Sequence, residues 1–394
     1  MSKGAAVKVG WTEGTLDQIA DNLDSRRVPI TKTDRASGPY PYYGASGIVD
    51  YVSDYIFDGE TLLISEDGAN LLARATPVAF SVSGKYWVNN HAHVLKFADR
   101  TTQRFVEFFF QSIKLDEYIT GAAQPKLTQA ALNSIPVLIP DSIIEREYIV
   151  GILDEAFDGI ATAKANAEKN LQNARALFES HLQAVFTQRG EGWVERPLAE
   201  LCYIKHGFAF KSEFFTDRGD YVMLTPGNFY ESGGYRDRGE KQNYYRGEIP
   251  RGYVLEKGDM LIAMTEQAAG LLGSPILIPE SNKFLHNQRL GLVTKKPGVP
   301  WRNEFFFHVF NTQAVRKEIH DGASGVKVRH TSPTKIGNVV VSFPTSVSEQ
   351  RAIVSGLTNL KKETQHIESL YRQKLAALDA LKKSLLDQAF TGVL

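Results

Sequence analysis

The sequence is poor in what most enzymes and secreted proteins carry. It has a single cysteine, Cys202, so an internal disulfide and a cysteine-rich metal site are both excluded. That residue is read as core filling. No run of about 18 apolar residues occurs, which leaves no candidate for a membrane-spanning helix. The opening Met1-Ser-Lys-Gly-Ala-Ala6 lacks the apolar centre of a secretory signal, so a cytoplasmic location is expected. There is no excess of charge: 45 basic residues meet 45 acidic ones, which argues against coating nucleic acid through bulk charge but not against a concentrated basic face. Catalytic signatures are missing too. His-Glu-x-x-His, Gly-x-Ser-x-Gly, Gly-x-Gly-x-x-Gly and an Asn/Asp-Pro-Pro-Tyr type methyltransferase motif do not occur, and the nine histidines lack ligand spacing. Gly44-Ala-Ser-Gly47 is not followed by Lys-Ser/Thr and is better read as a turn than as a phosphate cradle. Glu66 and Asp67, adjacent acids at a strand end, suit either a metal or a solvated turn, and the turn is favoured.

What is present is a duplication. Pro140–Thr187 aligns without a gap on Pro344–Thr391, with Ser142/Ser346, Glu145/Glu349, Ile149/Ile353, Leu153/Leu357, Leu182/Leu386 and Phe186/Phe390 the same residue in both copies. Each copy has the seven-residue apolar rhythm of a long helix. Leu153, Ile160, Ala167, Ala174 and His181 form one ridge beside Ile149, Ala156, Ala163 and Leu177; Ile353, Leu360, Ile367 and Leu381 run beside Leu357, Tyr371, Leu378 and Leu385. Asn170, Thr364 and Lys374 interrupt these ridges. Ser142 with Glu145, and Ser346 with Glu349, fit a capping box at each helix start. A helix of about 45 residues is roughly 65 Å long, too long for one small domain to cover, so the two copies are expected to pair antiparallel as a coiled coil. The expected interface residues are Leu153, Ile160, Leu177, Leu182, Phe186, Leu357, Leu360, Leu378, Leu381, Leu385 and Phe390.

The globular parts repeat as well. Trp11 precedes Leu16 by the interval that separates Trp193 from Leu198, and a helix through Leu16, Ile19, Ala20 and Leu23 is expected after the first opening. Leu62–Ile64, Val78–Val82, Tyr86–Val88 and Val94–Phe97 are predicted strands, followed by an aromatic helix over Arg104–Ile113. In the second half Gly258-Asp-Met-Leu-Ile-Ala-Met264 matches Gly59-Glu-Thr-Leu-Leu-Ile-Ser65. Asn287 pairs with Asn90, Trp301–Phe310 matches the aromatic helix, and Gly322–Lys327 matches Gly121–Lys126. The fold class is therefore α+β: two similar globular domains separated by two long helices that form an antiparallel coiled coil. The boundaries are domain 1 over 1–140, helix 1 over 141–190, domain 2 over 191–344 and helix 2 over 345–394.

Between the matched anchors the blocks diverge, as expected of related scaffolds that bind different targets. Arg236, Arg238, Lys241, Tyr244, Tyr245 and Arg246 interleave cations with aromatics, suited to phosphate contact and base stacking; a solvated loop is the alternative. Lys32, Arg35, Tyr42, Tyr43 and Ser46 form a sparser counterpart. Asn89, Asn90 and His91, and Asn287, Gln288 and Arg289, lie just before strands, where Asn and Gln can address adenine and Arg guanine, unless they serve only to cap turns. Lys126, Lys327 and Arg329 complete the candidate DNA-binding set; no catalytic or metal residue is assigned.

With these residues in place the chain resembles the specificity subunit of type I restriction–modification systems. Tyr42-Tyr-Gly-Ala-Ser-Gly-Ile-Val49, Leu63-Ile-Ser-Glu-Asp-Gly-Ala-Asn70, Pro344–Leu357 and Ser384-Leu-Leu-Asp-Gln-Ala-Phe-Thr-Gly392 are similar to that family, in order and across essentially the whole chain. The resemblance implies two target recognition domains, each reading one half of a bipartite, asymmetric site in double-stranded DNA. It implies a coiled coil that sets the spacing and docks two copies of a modification subunit, an adenine-N6 methyltransferase using S-adenosylmethionine. It further implies a restriction subunit that uses ATP with Mg, and no cofactor or catalysis in this chain itself. Two differing readers on one ruler suit half-sites about a helical turn apart. A related system with a fused methyltransferase–nuclease partner, a protein-binding coiled-coil scaffold without a DNA role, and an unrecognised enzyme are the alternatives.

Overall fold

The computed structural model describes residues 8–121, 123–267, 270–391 and 393–394. The chain divides into two compact units, one of residues 1–169 with 371–394, the other of residues 170–370. The opening residues 1–7, on which the signal-sequence reading rests, lie outside the described residues, as do Ala122 and Gly392 of the motifs quoted above.

In the first unit, Trp11–Thr15 pairs antiparallel with Pro136–Pro140 and closes the block. Two four-stranded sheets lie between. One has the order Ala20–Asn22, Ala92–Phe97, Thr61–Ser65, Ala79–Val82, all antiparallel. The other has the order Gly47–Val52, Tyr40–Gly44, Lys85–Val88, Phe57–Asp58, and its Tyr40–Gly44 and Lys85–Val88 run parallel. The aromatic helix Arg100–Ser112 starts where Asp99 accepts the Thr102 amide. Its Phe105, Phe108, Phe109 and Phe110 are buried. The long helices enter this core directly: Ile149 and Leu153 from the first, Leu386, Ala389 and Phe390 from the second. The Phe390 ring sits 5.1 Å from Phe105 and 5.6 Å from Phe109, edge to face.

The second unit is built the same way. Trp193–Pro197 pairs with Val340–Pro344. One sheet has the order Cys202–His206, Leu290–Lys295, Met260–Ala263, Pro275–Leu277; the other Phe215–Thr216, Tyr244–Tyr245, Tyr221–Met223, Phe284–Leu285, its last pair parallel. Asn303–Phe310 is the aromatic helix, and a further helix, Gln313–Asp321, follows it. Phe186 of the first long helix packs on Phe305 at 5.4 Å and Trp193 at 5.9 Å. Cys202 is core, as expected; burial pushes its thiol up to about 12.

The long helices are Ile143–Gln188 and Val347–Phe390. They run antiparallel beside each other within each unit. Lys164 meets Asp379 at 2.7 Å in the first unit, and Arg175 meets Glu368 at 3.1 Å in the second. The seam departs from the strict heptad. On the first helix Ile149, Leu153, Ile160, Ala167, Ala174 and Leu182 are buried, so an eight-residue step turns His181 outward. Leu177 and Leu381, expected in the seam, are 52% and 48% exposed, and Ile367 is exposed too. Phe186, Leu360, Leu378 and Leu385 are half-buried at the margin. Thr364, expected to interrupt the seam, is buried in it, its hydroxyl donating to the Leu360 carbonyl at 3.0 Å and thereby satisfied within its own helix.

Three local expectations are corrected. The opening helix is only Leu16–Ile19; Ala20 turns into a strand because its backbone is claimed by Phe97 across the sheet, a pairing that outweighs helical spacing. The second opening does the same, with Leu198–Leu201 leading into Cys202–His206. The capping boxes are at most half formed. The Glu349 amide donates to the Ser346 hydroxyl at 3.3 Å, but both glutamates turn outward to tryptophan. The Trp11 and Trp193 indole N–H groups each donate at 2.9 Å, to Glu145 and Glu349 respectively. A carboxylate that meets a partly buried indole donor gains a charge-assisted bond, stronger than one to a solvated cap amide. No helix among the described residues is long and apolar enough to cross a membrane.

Candidate nucleic-acid interface

In the first unit Tyr42 and Tyr43 lie opposite Trp87 and Val88 on parallel strands. The residues that follow those strands, 44–46 and 89–91, therefore leave the sheet at the same edge. Backbone bonds gather two further segments there: the Glu66 amide donates to the His91 carbonyl at 2.9 Å, and the Leu127 amide to the Glu66 carbonyl at 2.8 Å. The Ser65 hydroxyl donates to the Ala45 carbonyl. This edge brings together the predicted Ser46, Asn89, Asn90, His91 and Lys126. Ser46, Asn90, His91 and Lys126 are exposed. Asn89 is buried and structural: its amide donates to Tyr43, and its side chain accepts the His91 amide at 2.8 Å.

The other candidates of this unit have internal duties. Tyr42 is core, its hydroxyl accepting the Ile30 amide at 3.0 Å, and Arg35 lies 4.4 Å over its ring while bonding Asp50. Tyr43 is half-buried against Phe80 and Tyr86. Lys32 is exposed on a short turn, Lys32–Asp34. Of this sparser group Tyr42, Tyr43 and Arg35 are thus packing residues, because aromatic rings that can reach a core bury there.

The second unit repeats the construction. Val222 and Met223 run parallel to Phe284 and Leu285, so residues 224–228 and 286–289 leave at one edge. The Phe208 amide donates to His286 and the Gln288 amide to Phe208, both at 2.9 Å, and Met264 and Thr331 continue the chain of backbone bonds from Arg289. Gln288, Arg289 and Lys327 are exposed; Asn287 is buried, its side chain accepting the Arg289 amide at 3.3 Å. Asn89 and Asn287 hold their loops in the same way, which corrects the pairing of Asn287 with Asn90: Gln288 stands for Asn90, and Arg289 for His91. His330, which pairs with Thr265 as Lys126 pairs with Asp67, is the counterpart of Lys126; Lys327 is not.

Arg329 is half-buried and committed, its guanidinium bonding the His320 ring at 2.6 Å and the His320 carbonyl at 2.7 Å. The basic–aromatic loop is tied to the same edge, since Asn228 bonds the Arg236 carbonyl and the Gln242 side chain. Within it Arg236, Lys241 and Arg246 are exposed, while Arg238 and Tyr244 are half-buried. Tyr245 is core, packed 4.8 Å from Phe210, which corrects its assignment as a stacking residue. Sequence reasoning missed the exposed aromatics Phe208, Tyr230 and Tyr51. Tyr51 stands out of register with its buried neighbour Val52, an alternation that could have flagged it.

Glu66 is no solvated acid. It is buried with Asp24 and His93, and the three offer ligand atoms within 4.8 Å of one another. Cationic side chains fill that space. Arg27 reaches Glu66 at 2.5 Å and Asp24 at 3.3 Å, His93 meets Asp24 at 2.6 Å, and Lys126 meets Glu66 at 3.1 Å. Burial alone would raise both carboxyls. The hydrogen bond from His93 to Asp24 and that from Arg27 to Glu66, with the surrounding positive charge, bring both below the ordinary carboxylate value. The cluster is charge-compensated without a metal.

Comparison with known proteins bears on what these edges serve. The family model described as the type I restriction modification DNA specificity domain matches residues 8–172 and again 190–376. A putative type I restriction enzyme specificity subunit of Haemophilus influenzae is 38% identical over 35% of this chain and 35% of its own length. The type I restriction enzyme EcoBI specificity subunit of Escherichia coli is 25% identical over 59% of this chain and 43% of its own length. The chain thus spans less than half the length of these curated relatives. A chain solved in work on complex assembly and conformational transition of the type I R-M system matches with TM-score 0.74 at 15% identity, covering 98% of this chain and 99% of that one. The HsdS subunit from Thermoanaerobacter tengcongensis matches with TM-score 0.61 at 15% identity, covering 100% and 99%. At that identity these two likenesses speak for the fold alone.

Proposed function

The chain belongs to the type I restriction modification DNA specificity family, matched by it twice, and from that premise we propose that it is the sequence-reading subunit of a type I restriction–modification complex. Each globular block reads one half of a split, asymmetric DNA site. One observation carries this: two sheet edges of the same backbone construction present different side chains, Asn90, His91 and Lys126 on one, Gln288, Arg289 and His330 on the other. The same backbone thus displays two different sets of polar side chains, as readers of two different half-sites require. Asn, Gln and Arg address base edges in the major groove, and Lys327, Arg236 and Arg246 address phosphates.

The chain itself is non-catalytic in this reading. Two modification subunits dock on the long helices and methylate adenine with S-adenosylmethionine, and a restriction subunit adds ATP- and Mg-dependent cleavage. The exposed Leu177, Ile367 and Leu381 on the outer faces of the helices support a docking role. Near-neutral charge fits a reader whose partners supply much of the phosphate grip.

The test is a map of methylated adenine across the genome of host cells with and without this gene. Loss of methylation from one split motif is the expected result; an unchanged map in cells that express the modification subunit would refute the reading. Alanine at Gln288 and Arg289 together should then change the bases required in one half of the motif and leave the other half intact.

A further inference from the structure

The acids Glu66 and Asp67 stand at the reading edge of the first unit, and each holds one exposed side chain there. Glu66 takes Lys126 Nζ at 3.1 Å, while Arg27 grips its other oxygen at 2.5 Å from below. Asp67 accepts from His91 Nδ1 at 2.8 Å, which turns the opposite ring nitrogen, Nε2, outward, and Asp67 also pairs through its backbone with Lys126. The held groups remain accessible: the side chains of Lys126 and His91 are 49% and 48% exposed. Beneath them Arg27, Asp24 and His93 form a buried base that fixes Glu66, and His93 Nε2 donates to the Leu127 carbonyl at 2.8 Å, next to Lys126.

Among the described residues the second unit lacks this device. The strand registers place Met264 and Thr265 where Glu66 and Asp67 stand, and Gly291 where His93 stands. A Cβ on Gly291 would lie 2.8 Å from Ile204 and 3.1 Å from the Met264 sulfur, so the space is filled by apolar packing. The two units share a backbone construction at this edge and differ in whether acids orient what it displays.

We propose that Glu66 and Asp67 are positioning residues for sequence reading by the first unit, aiming Lys126 and His91 at the base edges of its half-site. The proposal rests on the DNA-reading function given above. A lysine on a four-carbon stem is a poor reader when free, because it satisfies any phosphate within reach. Anchoring its ammonium to a buried-side carboxylate limits that freedom and offsets its charge, so affinity for phosphate falls while direction is gained. The opposite consequence follows when the carboxylate is neutralised: Lys126 becomes an additional phosphate contact.

The experiment uses the full chain with its modification subunit and three labelled duplexes: one with the split motif returned by the methylation map, one with the first half scrambled, one with the second half scrambled. Binding is measured over a series of KCl concentrations. Glu66→Gln is expected to steepen the slope of log affinity against log salt by about one. It should also lower the preference for the intact first half by about tenfold, with the preference for the second half unchanged. Asp67→Asn should lower the first-half preference with the slope unchanged. In a Lys126→Gln background, Glu66→Gln should leave the slope where it is. An unchanged slope and unchanged preferences in Glu66→Gln and Asp67→Asn overturn the proposal with the reading function intact, and so does loss of preference at both halves, the mark of a merely structural role. A wild-type complex that does not distinguish the three duplexes overturns the function itself.

Discussion

Removing the Trp193 indole donor should cost more than removing its twin at Trp11. Trp193 and Trp11 donate to Glu349 and Glu145 at the same distance, 2.9 Å, each joining the closing strand pair to the start of a long helix. A hydrogen bond to a charged group contributes about 1.5–3 kcal/mol when its loss strands the partner. Glu145 has a second partner, Lys8 Nζ at 3.2 Å, through an ion pair whose members are 40% and 32% exposed. Such a pair contributes little by itself, but it spares Glu145 from standing alone. Among the described residues Trp193 is the only side-chain donor bonded to the Glu349 carboxylate. The coupling between Trp193→Phe and Glu349→Ala in a double-mutant cycle is therefore expected near 2 kcal/mol, against about 1 kcal/mol for Trp11→Phe and Glu145→Ala. Phenylalanine keeps the ring contacts with Phe186 and Phe305, so the cycle isolates the N–H. Urea unfolding followed by far-ultraviolet ellipticity, with a separate transition fitted for each unit, supplies the four stabilities of each cycle. Equal couplings, or one below about 0.5 kcal/mol at Trp193, would refute the argument that Lys8 sets the difference.

Leu357→Ala empties a buried seam position and should cost about 3–5 kcal/mol, whereas Leu177→Ala, at an exposed position, should stay within about 0.5 kcal/mol; thermal melts of the two variants decide. Gly207→Ala should damage the second reading edge, because its Cβ would fall 2.0 Å from the Asn287 carbonyl oxygen and 2.7 Å from that of His286; a methylation map relaxed at one half of the motif is the expected outcome. His286 is wholly buried and its imidazole is depressed to about 4 from an ordinary 6.5. Between those values the unfolded chain holds the proton and the folded chain does not. Stability is therefore full above about 6.5 and falls by something on the order of 3 kcal/mol as pH drops toward about 4; His308, depressed likewise by burial, adds to the loss. Urea midpoints across that range, with His286→Gln flattening the slope, measure it.

Much of this architecture was legible because a duplication writes each feature twice. Helix placement, the recurrence of strands and the two aromatic helices all follow from matched apolar positions. Registers were less legible. By residue type Asn287 fits Asn89 and Asn90 equally well, and only the shared bond from the amide two residues on identifies Asn89 as its equivalent. The seam's eight-residue step from Ala174 to Leu182 was hidden because a pure heptad selects His181. At the candidate edges, composition pointed to the right segments but not to the right side chains. Tyr42 and Tyr245 carry the aromatic character of a nucleic-acid loop and are core, since strand alternation turns them inward. Glu66 looked solvated because its cations, Arg27 and Lys126, lie far from it in sequence.

The interleaving of the chain also governs the order in which the units can be finished during synthesis. The second unit is a single stretch, residues 170–370, whereas the first waits for residues 371–394. Until Leu386, Ala389 and Phe390 are made, the aromatic face of Phe105 and Phe109 has no cover. About 220 residues separate residue 169 from Phe390, so at about 5–20 residues per second the first-begun unit stays open for roughly 10–45 s. In that interval the second unit can complete its core. The half of the molecule that leaves the ribosome first is thus the last to close, and its exposed phenylalanines are the surface a chaperone would meet.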